Sequence, residues 1–500
     1  VGSADLIERA APGSHVFEQH ALGEAPVAGN ARVRLRANAY RKRAARNSVG
    51  CSRQHPDALG LDIMTGTPAA TAIGARLCRP RGEFMSPLSR RTFFGLTAAG
   101  ATLTARAQSS SAKGHDGPLR SSTADVRPIG AAEHAARLAK VQSLMQQRKV
   151  AALLVEAGSS LEYFTGVRWW RSERTTAALI PAAGQVVVVT PFFEEPSIRE
   201  TLKVPGDVRP WKEDQSPFEL LAAALHDYPA GALAVEATTR FFIVDRITKA
   251  SGKTREVVPG DEFVRACRMI KSPAELALLQ SANNVTIAAL RHLHGRIEAG
   301  MQSSDIMNQL VTATQQLGGT HEFSLVLLNE ASAFPHGSLK PQAVRDGSVI
   351  LIDTGCSVHG YQSDISRSWV FGAASPRQRE LWNTVKRGQE LALETAKLGA
   401  PAGAIDRAVR AFYEQQGWSK DYGLPGLSHR TGHGIGMDGH EPPYLVRNDE
   451  TALAAGMCFS DEPGLYIPGE FGIRLEDCWY MTEAGPKLFT PLAKSLEQPI

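Results

Sequence analysis

Cysteine is scarce in this 500-residue chain: there are six, and no two stand as Cys-x-x-Cys. That spacing is what a zinc knuckle or a thioredoxin-type redox centre requires, so the sequence supports neither. Long apolar runs are missing too. The stretch Phe93–Ala105 covers 13 residues, well short of the roughly 20 needed to cross a bilayer, and no stable membrane insertion is expected. No short internal repeat is visible. A basic surface is also lacking where it would matter. The formal charge is +4, but residues 1–107 carry 15 Lys and Arg against 7 Asp and Glu, leaving 40 basic and 44 acidic residues in 108–500. The body is mildly acidic, and nothing in it favours nucleic acid. What is present, 43% apolar and 21% charged residues, is ordinary for a globular protein of two or three domains.

Residues 1–84 are rich in Arg, Ala and Gly, lack apolar periodicity and begin with Val1. We read them as a disordered arm or, in preference, as sequence upstream of a start at Met85. Ser89-Arg90-Arg91-Thr92-Phe93-Phe94, a weakly apolar run and Ala105-Arg106-Ala107 follow. A charged start, an apolar middle and a small-residue end compose an export signal. The segment 85–107 resembles a signal of the twin-arginine route, which implies a periplasmic or extracellular protein. Residues 108–126 read as a polar linker.

From residue 127 to about 262 the pattern alternates in type, with a helix over Ala131–Arg148 and strands over Ala151–Val155, Ala177–Ile180, Val186–Thr190 and Ala232–Val235. That alternation predicts a small α/β domain. Tyr163-Phe164-Thr165-Gly166 and Trp169-Trp170 place aromatics in a loop, as packing or as the wall of a cleft. The remainder, 263–500, opens on Ser272-Pro273-Ala274-Glu275, a capping box that starts a helix running to about Ile297. Ser375-Pro376-Arg377-Gln378 starts another that ends near Leu398, and a third spans Ala404 to Gln416. Strands in hairpin-like pairs lie between and after them, which predicts an α+β domain with helices on one face of a mostly antiparallel sheet.

The chemistry gathers in two stretches. Val349–Ile352 is an apolar run ending in Asp353-Thr354-Gly355, with Asp364 shortly after. His429, His433 and His440 then sit among glycines, and Glu462 and Glu476 follow on two strands expected to form a hairpin. Ile473-Arg474-Leu475-Glu476 alternates apolar with charged, so Arg474 and Glu476 share a face. Inward charge on a strand needs a compensating cation. If Asp353, Asp364, His433, Glu462 and Glu476 converge, four anions repel strongly, and two divalent cations offset that better than one. Oxygen-rich ligands suit Mn²⁺, with Zn²⁺, Co²⁺ and Fe²⁺ as alternatives. Singly, each residue has a plain structural reading as a turn former or a satisfied histidine; the constellation carries the inference.

From about Phe263 to Ile500 these motifs resemble the creatinase/aminopeptidase P/prolidase superfamily of pita-bread metallopeptidases, and Arg127–Asp261 resembles its N-terminal domain. The resemblance implies metal ligation by Asp353, Asp364, His433, Glu462 and Glu476, with Asp364 bridging. It implies substrate-facing roles for His336, His429 and His440, and a supporting one for Arg474. Gly439 departs from the aliphatic residue more usual before that histidine. The implied reaction is hydrolysis of the Xaa-Pro bond by a metal-bridging hydroxide. Glu462 would shuttle the proton, and His336 and His440 would steady the oxyanion or the substrate. Relatives are commonly homodimers, which sets that expectation here. A dipeptidase would need a cation for the substrate's C-terminal carboxylate; Arg447 is a candidate, though a solvated loop arginine is the better reading.

Rival readings differ in class. An aspartic protease needs two Asp-Thr/Ser-Gly motifs, and the chain has one. A non-catalytic binding module on this fold would have lost ligands, and all five are present. A metal-dependent lyase or amidohydrolase acting on a small zwitterion keeps the ligands and changes the pocket. Cys458 and Cys478 stand an even number of residues from Glu462 and Glu476, on the ligand-bearing face if the strands pair; buried apolar packing is the plainer role.

Overall fold

The computed structural model describes residues 118–500 apart from Thr254. The upstream segment, the export signal, most of the expected linker, and Cys51 and Cys78 lie outside the described residues.

The first part of the described chain runs α1 (Ala131–Gln147), β1 (Val150–Glu156), α2 (Ser159–Thr165), β2 (Ala177–Pro181), β3 (Val186–Pro191), α3 (Glu195–Thr201), β4 (Gly206–Trp211), α4 (Pro217–His226), β5 (Ala232–Val235), α5 (Phe241–Ala250), β6 (Val257–Pro259) and α6 (Asp261–Arg268). Its six strands form one mixed sheet in the order β4-β3-β2-β1-β5-β6. Every residue of β1, β2 and β3 is buried, as expected of strands covered on both faces. Successive side chains alternate between two cores. Leu153, Val155, Ile180 and Val188 pack with Val141 and Met145 of α1; Leu154, Leu179 and Val189 pack with Leu221 of α4 and Ile243 of α5. The period of two is thus read out by helices on opposite faces.

One sequence expectation changes here. Tyr163, Phe164 and Thr165 are buried in α2 rather than placed in a loop. The turn comes one residue later, where Gly166 takes a left-handed φ of 81° and caps the helix, a conformation that costs glycine little. Trp169 and Trp170 do follow in a loop, stacked with ring centroids 5.6 Å apart.

The rest of the chain runs α7 (Pro273–His294), α8 (Ser303–Gln316), β7 (Thr320–Leu328), β8 (Ser348–Val358), β9 (Tyr361–Gln362), β10 (Ile365–Phe371), α9 (Pro376–Thr395), α10 (Gly403–Gln415), β11 (Gly432–Gly434), β12 (Glu441–Leu445), β13 (Cys458–Asp461), β14 (Gly464–Tyr466), β15 (Gly472–Arg474), β16 (Asp477–Thr482) and β17 (Gly485–Leu488). Both expected capping boxes form, at Ser272/Glu275 and Ser375/Gln378. All the strand pairs here are antiparallel: β10-β8-β7 with β9 on β8, β12-β11-β13-β16-β17, and the hairpin β14-β15. Helices α7 and α8 bury Leu278, Leu279, Ile306 and Leu310 in a core shared with Ile350 and Ile352 of β8. Helices α9 and α10 bury Leu381, Trp382 and Val409 with Phe459, Ile473 and Trp479. Each helix pair therefore closes the outer side of one sheet, and the functional cleft lies between the sheets.

Candidate metal centre

Asp353 lies within β8, and Asp364 immediately precedes β10. Their approach depends on Gly355 of the Asp-Thr-Gly motif: a Cβ there would stand 2.1 Å from the Ser363 carbonyl oxygen. Only a residue without a side chain lets the Ser363–Asp364 backbone lie this close. His433 is central in β11. Glu462 and Glu476 stand where the ladder of β13 and β16 passes into that of β14 and β15. The pairs Asp461↔Asp477 and Gly464↔Arg474 keep one register across this break. The expected hairpin is therefore present, with the two glutamates at opposed positions in it.

The five residues converge. Carboxylate oxygens of Asp353, Asp364 and Glu476 lie within 4.8 Å of one another, as do ligand atoms of His433, Glu462 and Glu476, and of Asp364, His433 and His440. Glu476 belongs to the first two groups and Asp364 to the first and third, so these two carboxylates bridge the halves of the cluster. His433 Nε2 is 3.4 Å from Glu462 Oε1 and 3.6 Å from Asp364 Oδ2. Its Nδ1 lies 3.1 Å from the Gly434 carbonyl. A proton held there by that acceptor leaves the Nε2 lone pair free for a metal.

Burial makes these charges costly. Asp364, His433 and Glu476 are each at most 5% exposed. Burial, then the charges of Asp353 and Glu462, pushes Asp364 well above the usual carboxylate range. Burial, then Asp364 and Glu462, does the same to Glu476. Glu462 is pushed up to about 7 by burial, with Arg474 opposing and Asp353 adding. Burial and the neighbouring His440 hold His433 well below its ordinary value, hence neutral, the form that ligates. Two carboxylate oxygens, Asp353 Oδ1 and Glu476 Oε1, are buried with no hydrogen-bond partner, whereas their sister atoms are satisfied by Arg474 Nη2 at 2.6 Å and Ser366 Oγ at 2.8 Å. Orphaned carboxylate oxygens within one cluster suit divalent cations.

The remaining expected site residues line the same cleft of about 600 Å³, namely His336, His429, His440 and Arg474. His336 is exposed at its mouth. His429 Nε2 lies 2.7 Å from the Tyr466 hydroxyl, and burial with nearby Arg474 lowers its pKa to about 3. The His440 ring lies against His433, tilted by 42° with ring centroids 3.8 Å apart, closer to the cluster than a purely substrate-facing role required. Gly439 has Gln362 Oε1 3.1 Å from where its Cβ would be, so an aliphatic residue there would press on that amide. Arg447 stands at the edge of the cleft: it pairs with Asp421 and lies over the ring of Tyr422, which lines the cleft with Val446, but it is not itself among the lining residues. Trp169 and Trp170 do not line it either. Cys458 and Cys478 are buried in the core, the Cys478 thiol donating to the Asp364 carbonyl at 3.1 Å.

Several supports were not foreseen from sequence. Asp406 and Arg410, one turn apart on α10, hold the histidine segment: Asp406 Oδ1 accepts from Thr431 N at 3.1 Å and Thr431 Oγ1 at 2.7 Å, and Arg410 donates to the His429 carbonyl. The signal was there, since buried Ile405, Val409 and Tyr413 put these charges on the inner face of an amphipathic helix. Glu441, next to His440, takes Arg268 Nη2 at 2.7 Å and Lys271 Nζ at 2.6 Å, tying the histidine loop to the end of α6. Arg430, between His429 and Thr431, also lines the cleft.

Antiparallel sheets closed by two helix pairs around a carboxylate-rich cluster, behind a smaller α/β domain, define a pita-bread metallopeptidase architecture. The chain belongs to metallopeptidase family M24, whose model matches residues 277–483, preceded by a creatinase/prolidase N-terminal domain at 137–270. A crystal structure of dipeptidase PepE from Mycobacterium ulcerans is 31% identical, covers 73% of this chain and 97% of its own, and superposes with a TM-score of 0.66. The Xaa-Pro dipeptidase of Lactobacillus helveticus is 29% identical over 72% of this chain and 98% of its own length. An X-Pro aminopeptidase structure from Thermotoga maritima is 26% identical over 72% of this chain and 98% of its own, with a TM-score of 0.64. Family and cluster together imply divalent metal ions, two by the pair of ligand groups that share Glu476.

Proposed function

We propose that this protein hydrolyses Xaa-Pro peptide bonds with two divalent ions held by Asp353, Asp364, His433, Glu462 and Glu476. The observation that carries the reading is the meeting of four carboxylates and a neutral imidazole in one cleft, with Asp353 Oδ1 and Glu476 Oε1 unpartnered. Relatives named Xaa-Pro dipeptidase, similar over nearly their whole length, support the choice of bond.

Bound ions would supply Lewis acidity and a water acidic enough to be a nucleophile at neutral pH. The chain's own groups do the rest. Glu462 accepts a proton from the nucleophile and returns it to the leaving nitrogen. His440 and His336 donate to the substrate carbonyl as it becomes an oxyanion. Arg474 holds Asp353 in place through Oδ2 and donates to the Pro335 carbonyl at 3.1 Å, fixing the segment that carries His336. His429, neutral across the physiological range, orients Tyr466, whose hydroxyl accepts from Arg474 at 3.1 Å.

Mn²⁺ is the proposed ion, on the strength of the oxygen-rich ligand set. Export by the twin-arginine route is proposed from the Ser89–Ala107 motif, and a homodimer from the exposed Trp170, Phe192, Phe193 and Phe241 of the N-terminal domain. Protein begun at Met85 is to be analysed for metal, sized by light scattering, and assayed on Ala-Pro and Ala-Pro-Ala with and without chelator. Chelator-sensitive cleavage is expected. Folded, metal-loaded protein that cleaves neither peptide would overturn the reading.

A further inference from the structure

A second pocket, of about 200 Å³, lies where the two domains meet and shares no lining residue with the metal cleft. The N-terminal domain supplies His134 and Arg137 of α1, Glu162 of α2, and Arg168 and Lys203 from the segments after α2 and α3; the catalytic domain supplies His359 from the turn between β8 and β9. Five of these six side chains can carry positive charge and one negative. His134 and Arg137 form a buried floor, each 5% exposed. Arg168, Lys203 and His359 are exposed around it.

These charges are unevenly matched. Glu162 is taken by Arg168, whose Nε lies 3.1 Å from both carboxylate oxygens. Glu133 and Glu275 meet Arg137 through Nη2, at 3.1 and 3.4 Å, while its Nε is buried without a partner. Lys203 has no carboxylate partner among the described residues. The groups feel one another. Burial holds His134 below its ordinary value, and the charges of Arg137 and Lys203 add to that. Cations gathered from both domains with too few anions between them make a site that an anionic ligand would relieve.

The walls say which anion. A single carboxylate is satisfied by one guanidinium fork. An ammonium, guanidinium groups and imidazoles set around a common space suit a compact oxyanion with charge on several oxygens. The volume is below the roughly 300–1,000 Å³ of pockets that hold drug-sized ligands, which leaves room for a phosphate group and little more. His134 adds a discriminating contact. Its Nδ1 lies 3.0 Å from the Tyr163 carbonyl, so the neutral ring donates there and keeps a lone pair on Nε2. Hydrogen phosphate has an O–H for that lone pair, and sulfate has none.

We propose that this junction pocket binds a phosphate group, either as inorganic phosphate or as the head of a small phosphate monoester. The site is separate from the metal centre and stands or falls independently of the hydrolase reading. Because both domains contribute walls, an occupant braces their junction and raises the melting temperature.

Inorganic phosphate is to be titrated by calorimetry into the full-length, metal-loaded chain freed of excess metal, as wild type, Lys203→Gln, Arg168→Gln and Asp353→Asn. Wild type should bind phosphate at millimolar concentration or below. Lys203→Gln and Arg168→Gln should weaken that binding by roughly 10-fold or more, the size of one charge-assisted hydrogen bond, with melting temperatures unchanged in the absence of phosphate. Asp353→Asn should bind phosphate as wild type does. Binding lost in Asp353→Asn and kept in the other two variants would put the anion on the metals and overturn the proposal. No binding by wild type overturns it, as does sulfate or acetate bound as tightly as phosphate. Glycerol 3-phosphate separates the two sources: binding at least as tight as phosphate assigns the site to a monoester, and exclusion of it assigns the free ion.

Discussion

Glu462 stands directly opposite Glu476, because Asp461↔Asp477 on one side and Gly464↔Arg474 on the other keep a single register across the break between their strands. Like charges placed opposite each other destabilise a ribbon, and here both side chains are turned into a cleft with Asp353 and Asp364. The fold has put its least favourable pair where a cation can relieve it. Without metal, protons must do that work.

The raised carboxylates contribute to the pH dependence of the metal-free protein with a definite sign. Glu462 is raised from 4.5 to about 7, and Asp364 and Glu476 are raised as well. The unfolded chain loses these protons near pH 4–5, whereas the folded chain keeps them. The folded state binds more protons in that window, and stability falls as pH rises. For Glu462 the decline runs from about pH 4.5 to about 7, at up to about 1.4 kcal/mol per pH unit. His429, His433 and His440, all held below the ordinary histidine value, gain protons on unfolding below about pH 6.5 and oppose this trend there. Thermal melts of chelated protein should therefore show the Tm drop above that point, between about pH 6.5 and 7.5. Metal-loaded protein should not show it, and titration calorimetry should find proton release on metal binding.

Glu476→Gln separates stability from function. It deletes one of the opposed anions while keeping an acceptor for Ser366 Oγ, now 2.8 Å from Oε2. Metal-free Glu476→Gln should be more stable than wild type at pH 8 by on the order of 1 kcal/mol, the equivalent of about one pKa unit of relieved repulsion. Metal affinity should fall by more than the roughly 10- to 100-fold typical of losing a ligand's supporting contact. Denaturant melts at pH 8 and metal titration check both halves.

The convergence of Asp353, Asp364, His433, Glu462 and Glu476 was legible from the family motifs they stand in, with strand alternation fixing side-chain direction locally. Asp353 at the end of an apolar run and the Arg474/Glu476 alternation required only the period of two. The expected helices and strands recur within one to three residues at most ends, Pro273–His294 being shorter than its apolar pattern because Gly295 stops it. Illegible were contacts that join distant segments with no shared pattern. Asp406 reaches Thr431 across 25 residues and Arg268 reaches Glu441 across 173. Nothing local in the sequence distinguishes Arg430, aimed at the cleft, from Arg447, paired in a loop. That difference is made by the packing of α10 against the histidine segment.

Gly432 bears on the reach of local pattern in another way. A Cβ at this position would stand 2.2 Å from the Ser460 carbonyl oxygen and 2.9 Å from Leu445 Cδ1. Backbone on one side and a core side chain on the other leave no direction of escape. Gly432→Ala should push β11 off β13 and carry His433 with it, at a cost of about 1–3 kcal/mol for overpacking. Metal binding should weaken further than the stability loss alone explains, which metal titration alongside urea melts would reveal.

Beneath the cluster, Arg367 and Asp477 form an ion pair at 2.6 Å, with both side chains essentially without solvent. Arg367 lies on β10, three residues past Asp364, and its Nη1 also donates to the Glu476 carbonyl at 2.7 Å. Asp477 further accepts from Gln389 Nε2 at 3.0 Å and Thr490 Oγ1 at 2.8 Å. The pair thus couples the strand that follows Asp364 to the residue after Glu476. Its desolvation cost is offset only while both charges and their hydrogen bonds are in place. Arg367→Ala leaves Asp477 buried and unpaired, so a loss of about 3–5 kcal/mol is expected in urea unfolding. Asp477→Asn leaves Arg367 the backbone carbonyls of Ser366, Glu476 and Pro491 and should cost less. If the pair served stability alone, both variants would regain wild-type metal affinity once folded at low temperature. Because it sets the spacing of Asp364 and Glu476, Arg367→Ala should remain weak in metal binding even when circular dichroism reports a native fold.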